Sequence, residues 1–558
     1  MWFGPEMTGR WSLEINEIFN GARCVRAAGG SQWLALGFSQ QTDWLFFSWN
    51  PSRPGCCLAA PDEVRALKES FSSTPSFTSA VTSHICGSRL STAEQIGFDR
   101  ILALRFNKTI GAGFLKRISL IMETAGTSVN MILLDAENHV LECDRRIFPE
   151  ESRKPPRIPG VSYSTPEPFP GPLPTELVPR IRPTPHGTRG IGAPLVKLLW
   201  RSWHLYTPNR WKQAMEKTAG PAIFREAHLR SHAGVPFVFP LVLPETKELD
   251  GGALVSARSR VVQLLMANLV DTLRKEMLKP LAKRERSLTN SIDALQRRLE
   301  DSSLSEQWKN FGNLLLSNPD KVKRGMTSVS LYDWQTENQV TIRLNPHITP
   351  ADNASRYFTK YKKQVRASRE IEIQLARSIR ERKMARSEKE QIELLDDIID
   401  INSLVQEKRR PSGKKRKTRP SAPPHRVFRF GDREFYAGLN ERGNRWITFS
   451  LANPGDIWFH ARNTPGSHVL LNVPDSTSPS EEHILFGASL AAYYSKARLS
   501  GKVAVDYTER KHVRSRPDGG KAEVLYDHFG TVTVSPELWK ENMSETELDH
   551  PAGKTEKK

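Results

Sequence analysis

The stretch Asp456-Ile457-Trp458-Phe459-His460-Ala461-Arg462-Asn463-Thr464-Pro465-Gly466-Ser467-His468-Val469-Leu470-Leu471 decides how the C-terminal part of this chain folds. Two apolar runs, 457–459 and 469–471, flank the Pro465-Gly466 turn. The pattern predicts a strand-turn-strand unit with Asp456, His460, Arg462, Ser467 and His468 gathered at its tip. A plainer reading has both histidines packing or hydrogen-bonding locally in a hairpin. Two histidines with no neighbouring cysteine or second ligand pair make a poor tetrahedral zinc set, so no metal is assigned to them.

The chain around this stretch is long and basic. Its 558 residues exceed a single hydrophobic core and predict about three or four domains or elongated segments. A formal charge of +19 needs a polyanionic partner or an acidic surface, nucleic acid first and a membrane second. No run reaches the roughly 20 apolar residues of a spanning helix, and the N-terminus shows no basic-then-apolar leader, so a cytoplasmic protein is expected. The five cysteines form no Cys-x-x-Cys pair, which suits a reducing compartment.

Working outward, residues 425–540 read as one small α/β module. It contains a helix opened by a Ser478/Glu481 capping box and running to Arg498, strands at 502–507, 522–529 and 531–534, and the basic run Lys511-His512-Val513-Arg514. Residues 541–558 read as a disordered tail, and 409–424, rich in Lys, Arg, Pro and Ser, as a flexible basic linker able to neutralise phosphates without sequence specificity.

Before the linker, residues 254–408 predict a long antiparallel coiled-coil arm with a small middle element near 319–350. Leu281, Leu288 and Leu295 fall at heptad spacing beside Ile292 and Leu299, and Ile371, Leu375 and Ile379 fall at i, i+4, i+8. Pro280 should kink the first helix, 380–390 lacks an apolar stripe, and 327–334 with 339–345 look like a strand pair. Tyr357, Phe358 and Tyr361 are expected to pack rather than bind.

Residues 1–170 read as an α/β domain, with strands at 33–38, 43–49, 118–123, 131–135 and 139–143 and a helix at 61–70; the first six residues are expected to be an upstream start before Met7. Asp99-Arg100 precedes an apolar strand and, taken alone, is a surface salt-bridge feature. After a Pro-rich connector, Gly190-Ile191-Gly192 opens a helix. Such a turn presents backbone N–H groups suited to phosphate, or simply caps the helix.

Several of these blocks resemble the NFACT family. The Asp-Ile-Trp-Phe-His-Ala half and the Pro-Gly-Ser-His-Val half of the opening stretch match its RNA-binding module, which implies RNA contact by Asp456, Trp458, His460, Arg462, Pro465, Gly466, Ser467 and His468. Lys511 and Arg514 match the start of the family's basic run, and 515–521 departs from it. The Asp-Arg pair after Gly97-Phe98 implies contact of Asp99 and Arg100 with the anticodon arm of tRNA. Glu123, Gly126 and Asn130 fall where the family shows Glu-x-Met-Gly-Arg-His-Ser-Asn, and the residues between them depart.

The resemblance implies a multidomain α+β fold: a glycosylase-like N-terminal α/β domain, a helix-hairpin-helix domain over 175–245 touching phosphate through Gly190 and Gly192, the coiled-coil arm, and the RNA-binding module. It also implies a ribosome quality-control factor that binds large subunits obstructed by peptidyl-tRNA, contacts rRNA, recruits tRNA, alanyl-tRNA first, and promotes template-free tailing of the stalled chain as a monomer. Peptidyl transfer would be the ribosome's work. No triad, metal set or phosphate-cradling loop makes the chain an enzyme, and no cofactor or membrane is expected. Pro5-Glu6 lies inside the chain, without the free amine that glycosylase chemistry needs. The alternatives are a general nucleic-acid or DNA-repair-like binder and, less favoured, a fibronectin-binding adhesin.

Overall fold

A computed structural model describes residues 3–70, 75–110, 114–124, 129–149, 155–167, 191, 193–218, 227–301, 305–409, 422–474, 478–516 and 522–541. The described residues form two compact units, one from residues up to 272 with 396–409 and the other from 273–395 with 422–541.

The first unit is built on two antiparallel meanders. Cys24–Gly30, Trp33–Phe38, Trp44–Ser48 and Gly55–Ala59 make a four-stranded sheet. Arg89–Gln95, Ile101–Ile110, Phe114–Glu123, Asn130–Leu134 and Val140–Cys143 make a five-stranded one. Every pairing is antiparallel, so the expected α/β domain is an α+β one. The helix Pro5–Phe19 supplies Met7, Trp11, Ile15 and Phe19, a stripe repeating every fourth residue, to the core shared by both sheets. Phe3 packs edge-on against Trp11 with ring centroids 5.1 Å apart, and Glu6 is buried.

Helices Ala193–Ser202 and Pro208–Thr218 follow each other within the span 175–245. The expected extent to residue 245 is wrong. His228–His232, Val235–Phe239 and Lys247–Glu248 form a three-stranded sheet, and Phe237 and Phe239 pack under Trp211 and the first of these helices. The Ala233-Gly234 turn, where both residues have positive φ, reverses the chain between the two strands.

One helical run, Gly252–Glu300, contains an 18-residue window with a mean hydropathy of 1.2, enough by length and composition to cross a membrane. Its Ala253, Leu254, Ala257, Val261 and Val262 are buried in the core of the first unit, and a third of the window is buried.

In the second unit, the helices Leu264–Asp301, Ser305–Ser317 and Pro350–Leu394 make up the arm. Their contacts define an antiparallel ladder. Arg274 donates to the Leu395 carbonyl, Arg284 meets Glu381 at 3.3 Å, Glu285 meets Lys389 at 3.6 Å, and the Tyr361 hydroxyl donates to Glu306 at 3.2 Å. The first helix continues through Pro280. Leu281, Ile292, Leu295 and Ile371 are buried, but Ile379, expected on the seam, is 43% exposed. Ser328–Asp333 and Asn338–Arg343 pair as expected, packing with Tyr357, Phe311 and Leu315. Asn353 binds the Asn345 backbone from both sides, donating to its carbonyl and accepting from its amide.

The C-terminal module is a six-stranded antiparallel sheet in the order His425–Phe430, Arg433–Gly438, Val469–Leu471, Ile457–Ala461, Val503–Glu509, Gly530–Val534. The helix Glu481–Tyr493 lies on one face, and Gly487 permits the close approach: a Cβ there would stand 2.7 Å from the Phe459 ring. This helix is capped by Ser480 with His483 at the third position, not by Ser478 with Glu481, and it stops at Tyr493. On the other face Trp458 and Leu470 are covered by Val513, Val524 and Tyr526 of a two-stranded ribbon, Val513–Ser515 with Val524–Tyr526.

Candidate nucleic-acid interface

Asp99 and Arg100 close a tight turn before the strand Ile101–Ile110. Gly97 and Phe98 both take positive φ, +65° and +50°, and the Phe98 ring is 40% exposed. Asp99 Oδ1 accepts from the Arg100 amide at 2.7 Å, while the Gln95 amide nitrogen holds the carbonyls of Asp99 and Pro5 at 2.8 and 2.7 Å. Burial lowers the Arg100 pKa, and the Asp99 and Glu6 carboxylates oppose that shift. The turn therefore presents an aromatic face beside a guanidinium and a carboxylate on a backbone fixed from below. Stacking on an unpaired base and bonding to phosphate are both within its chemistry.

The other residues expected beside it have inward roles. Glu123 is buried, accepting from Arg157 Nη2 at 2.8 Å and from the Tyr163 hydroxyl at 2.9 Å; Arg157 is buried as well, its guanidinium 4.6 Å from the Tyr163 ring centre. These bonds pin the Pro-rich connector to the sheet. Asn130 is buried and brackets the Arg145 backbone, donating to its carbonyl at 2.8 Å and accepting from its amide at 2.9 Å. Gly126, Gly190 and Gly192 lie outside the described residues, as do 410–421 of the basic linker and 542–558 of the tail.

The opening stretch of the C-terminal module pairs as predicted, Ile457 opposite Leu471 and Phe459 opposite Val469. Its polar residues do not all gather at the tip. Asp456 is buried at the base, where its carboxylate accepts from the amides of Asn453 at 2.7 Å and Val473 at 2.8 Å. Trp458 is fully buried, and Ser467 and His468 are buried too. His468 Nδ1 lies 2.8 Å from the Thr448 hydroxyl, and its amide donates to Asn444. Burial pushes the His468 pKa well down and that of His460 down, so both rings are held neutral. The Pro465 carbonyl accepts from the Lys496 amide, and Gly466 bridges Ser495, where a Cβ would stand 2.9 Å from the Ser495 side chain.

Arg462, Lys511 and Arg514 are what this region offers outward. Arg462 Nε lies 2.9 Å from Asp506 and its guanidinium 5.3 Å from the Phe529 ring centre, with Phe529 44% exposed. Asp506, buried, also accepts from Thr531 at 2.7 Å and Tyr526 at 2.9 Å, so it aims Arg462 rather than meeting a ligand itself. Lys511 pairs with Glu509, and Arg514, largely exposed, stands 4.0 Å from Asp527. Asp506 and Phe529 escaped the sequence reading because they lie on strands remote in sequence from the hairpin they serve. A guanidinium stacked on a half-exposed aromatic is a surface suited to single-stranded nucleic acid.

The profile of the NFACT N-terminal and middle domains matches residues 30–182 and 263–422, more than half of the chain. The chain belongs to the NFACT family. Among its relatives, the protein named Rqc2 homolog RqcH from Bacillus subtilis (strain 168) is 27% identical over 517 residues, spanning 84% of this chain and 87% of that one. The protein of the same name from Streptococcus suis (strain 05ZYH33) is 26% identical over 484 residues, 82% of this chain and 85% of that one. A solved structure similar to part of the chain is the C-terminal part of the fibronectin/fibrinogen-binding protein from Streptococcus suis, with 24% identity, a TM-score of 0.33 and coverage of 48% of this chain and 95% of that one.

Proposed function

We propose that this chain is a cytoplasmic ribosome-associated quality-control factor. It binds a large ribosomal subunit obstructed by peptidyl-tRNA, touching rRNA through the arm and the Arg462–Phe529 surface, and holds a tRNA, alanyl-tRNA first, at the Phe98-Asp99-Arg100 turn. It then promotes template-free addition of C-terminal residues that mark the stalled chain for degradation. The ribosome performs peptidyl transfer, and the chain acts as a monomeric adaptor without a catalytic group.

The observation that carries this reading is similarity over most of both chains to proteins named Rqc2 homolog RqcH. The half-exposed Phe98 ring, followed by the partly buried Asp99 and Arg100, and the charge of +19 support it.

The test is recovery of the tagged protein from its native cells at moderate salt, followed by sedimentation and RNA sequencing. Large-subunit rRNA with one enriched tRNA and little small-subunit rRNA is the expected result; genomic DNA, or no ribosomal RNA above background, refutes it in favour of a general nucleic-acid binder. Replacing Asp99 and Arg100 by Ala should abolish tRNA recovery and tailing while subunit binding persists. Loss of subunit binding would refute that division of labour.

A further inference from the structure

We propose that His512, Asp527 and His528 form a binding site for a divalent transition-metal ion of the zinc class on the C-terminal module. Their donor atoms all lie within 4.8 Å of one another. Asp527 Oδ1 stands 2.9 Å from His528 Nδ1 and 3.4 Å from His512 Nδ1, and the two imidazoles face each other with ring centres 4.6 Å apart. A tetrahedral ion with bonds of about 2.0–2.1 Å sets its donors about 3.3 Å apart, so the two measured separations already bracket that spacing.

The backbone keeps the three residues in place. The Asp527 amide donates to the His512 carbonyl at 3.3 Å, continuing the ribbon in which Val513 pairs with Tyr526. The Thr508 hydroxyl lies 3.1 Å from the Asp527 carbonyl and 3.0 Å from that of His528. His528 takes φ +49°, and its ring rests against that of His512.

The donor set selects the ion. Two imidazole nitrogens and one carboxylate oxygen suit zinc, nickel or copper and are a poor match for magnesium or calcium, which take oxygen ligands. A fourth position stays open to water or to a phosphate oxygen. The other carboxylate oxygen of Asp527 faces Arg514 at 4.0 Å, so ion and guanidinium would address different oxygens. The His460 and His468 pair offers no such site, because His468 is buried with Nδ1 beside Thr448. Binding would staple the turn at Arg510–His512 to the turn entering the strand Gly530–Val534.

Full-length protein stripped with a chelator is titrated with Zn2+ and with Co2+ beside two variants, His528→Ala and Asp527→Asn, at positions exposed enough for the fold to persist. The native chain should bind one equivalent more tightly than either variant, by at least about tenfold, and Co2+ should produce a tetrahedral visible spectrum that both variants lose. Zinc should also slow hydrogen exchange at the Asp527 amide in the native chain alone. Equal binding by native chain and variants, or no stoichiometric binding at all, overturns the proposal and leaves a hydrogen-bonded His-Asp-His cluster. None of these outcomes depends on the ribosomal role.

Discussion

Replacing Arg157 by Ala tests whether Glu123 holds the fold together or meets tRNA. The two side chains form a buried ion pair with nitrogen and oxygen 2.8 Å apart. Removing one partner of such a pair costs about 3–5 kcal/mol, mainly because the other charge is left buried without compensation. Tyr163 would still donate to Glu123, which puts the expected cost near the lower end, about 3 kcal/mol. At about 2–4 °C per kcal/mol for a unit of this size, the unfolding midpoint of the first unit should fall by roughly 6–12 °C.

The damage should reach the Asp99-Arg100 turn. Glu123 pairs with Ile101 in the sheet, and the Thr124 amide donates to the Arg100 carbonyl at 2.9 Å. Thermal unfolding of the full chain gives the midpoint, and hydrogen exchange at residues 119–124 and 157–163 gives the location. The double variant Glu123→Gln with Arg157→Met, which removes both charges, should recover at least about 1 kcal/mol relative to Arg157→Ala. The reasoning is refuted if Arg157→Ala costs less than about 1 kcal/mol, or if Glu123→Gln keeps native stability yet loses tRNA, since Glu123 would then be a contact after all.

Other expectations follow from single contacts. Gly466→Ala should destabilise the C-terminal module by about 1–3 kcal/mol, because its Cβ would meet Ser495 and the Tyr494 carbonyl; an unchanged denaturation curve rejects this. The depressed pKa of buried His468 means that the unfolded chain binds a proton the folded one refuses once pH falls below about 6.5. The module should therefore lose about 1 kcal/mol between pH 6.5 and 5.5 from this residue, a loss seen as a lower melting temperature and reduced in His468→Asn. Cys86, whose thiol is brought down to about 7 by its hydrogen bond with Cys24, should alkylate first with iodoacetamide at neutral pH. Peptide mapping that finds Cys56 or Cys57, both fully buried, modified earlier would contradict that.

Strand positions were legible because short apolar runs such as residues 33–38 or 457–459 are a local signal, and the arm because heptad spacing is. What stayed hidden depended on partners distant in sequence. Glu123 and Asn130 occupy a family motif, yet their partners are Arg157, Tyr163 and Arg145. Asp456 precedes its strand, which makes it a brace at the hairpin's base rather than a group at its tip. The helix cap moved two residues because Ser478-Pro479-Ser480 offers two hydroxyls, and the imidazole of His483 takes the place that the capping-box pattern reserves for Glu or Gln. The hairpin at 228–239 has a single apolar residue, Leu229, in its first strand, so no alternation marks it.

The antiparallel arm also has a consequence for how the protein is made. Sequence separation across its contacts shrinks steadily from base to tip, 121 residues between Arg274 and Leu395, 97 between Arg284 and Glu381, 55 between Glu306 and Tyr361. At the tip Asp333 faces Asn338. Loop-closure entropy is smallest there, so folding should nucleate in the tip hairpin and zip toward the base, each new rung shortening the loop left for the next. During synthesis the descending helix would remain unpaired until the hairpin and the returning helix emerge.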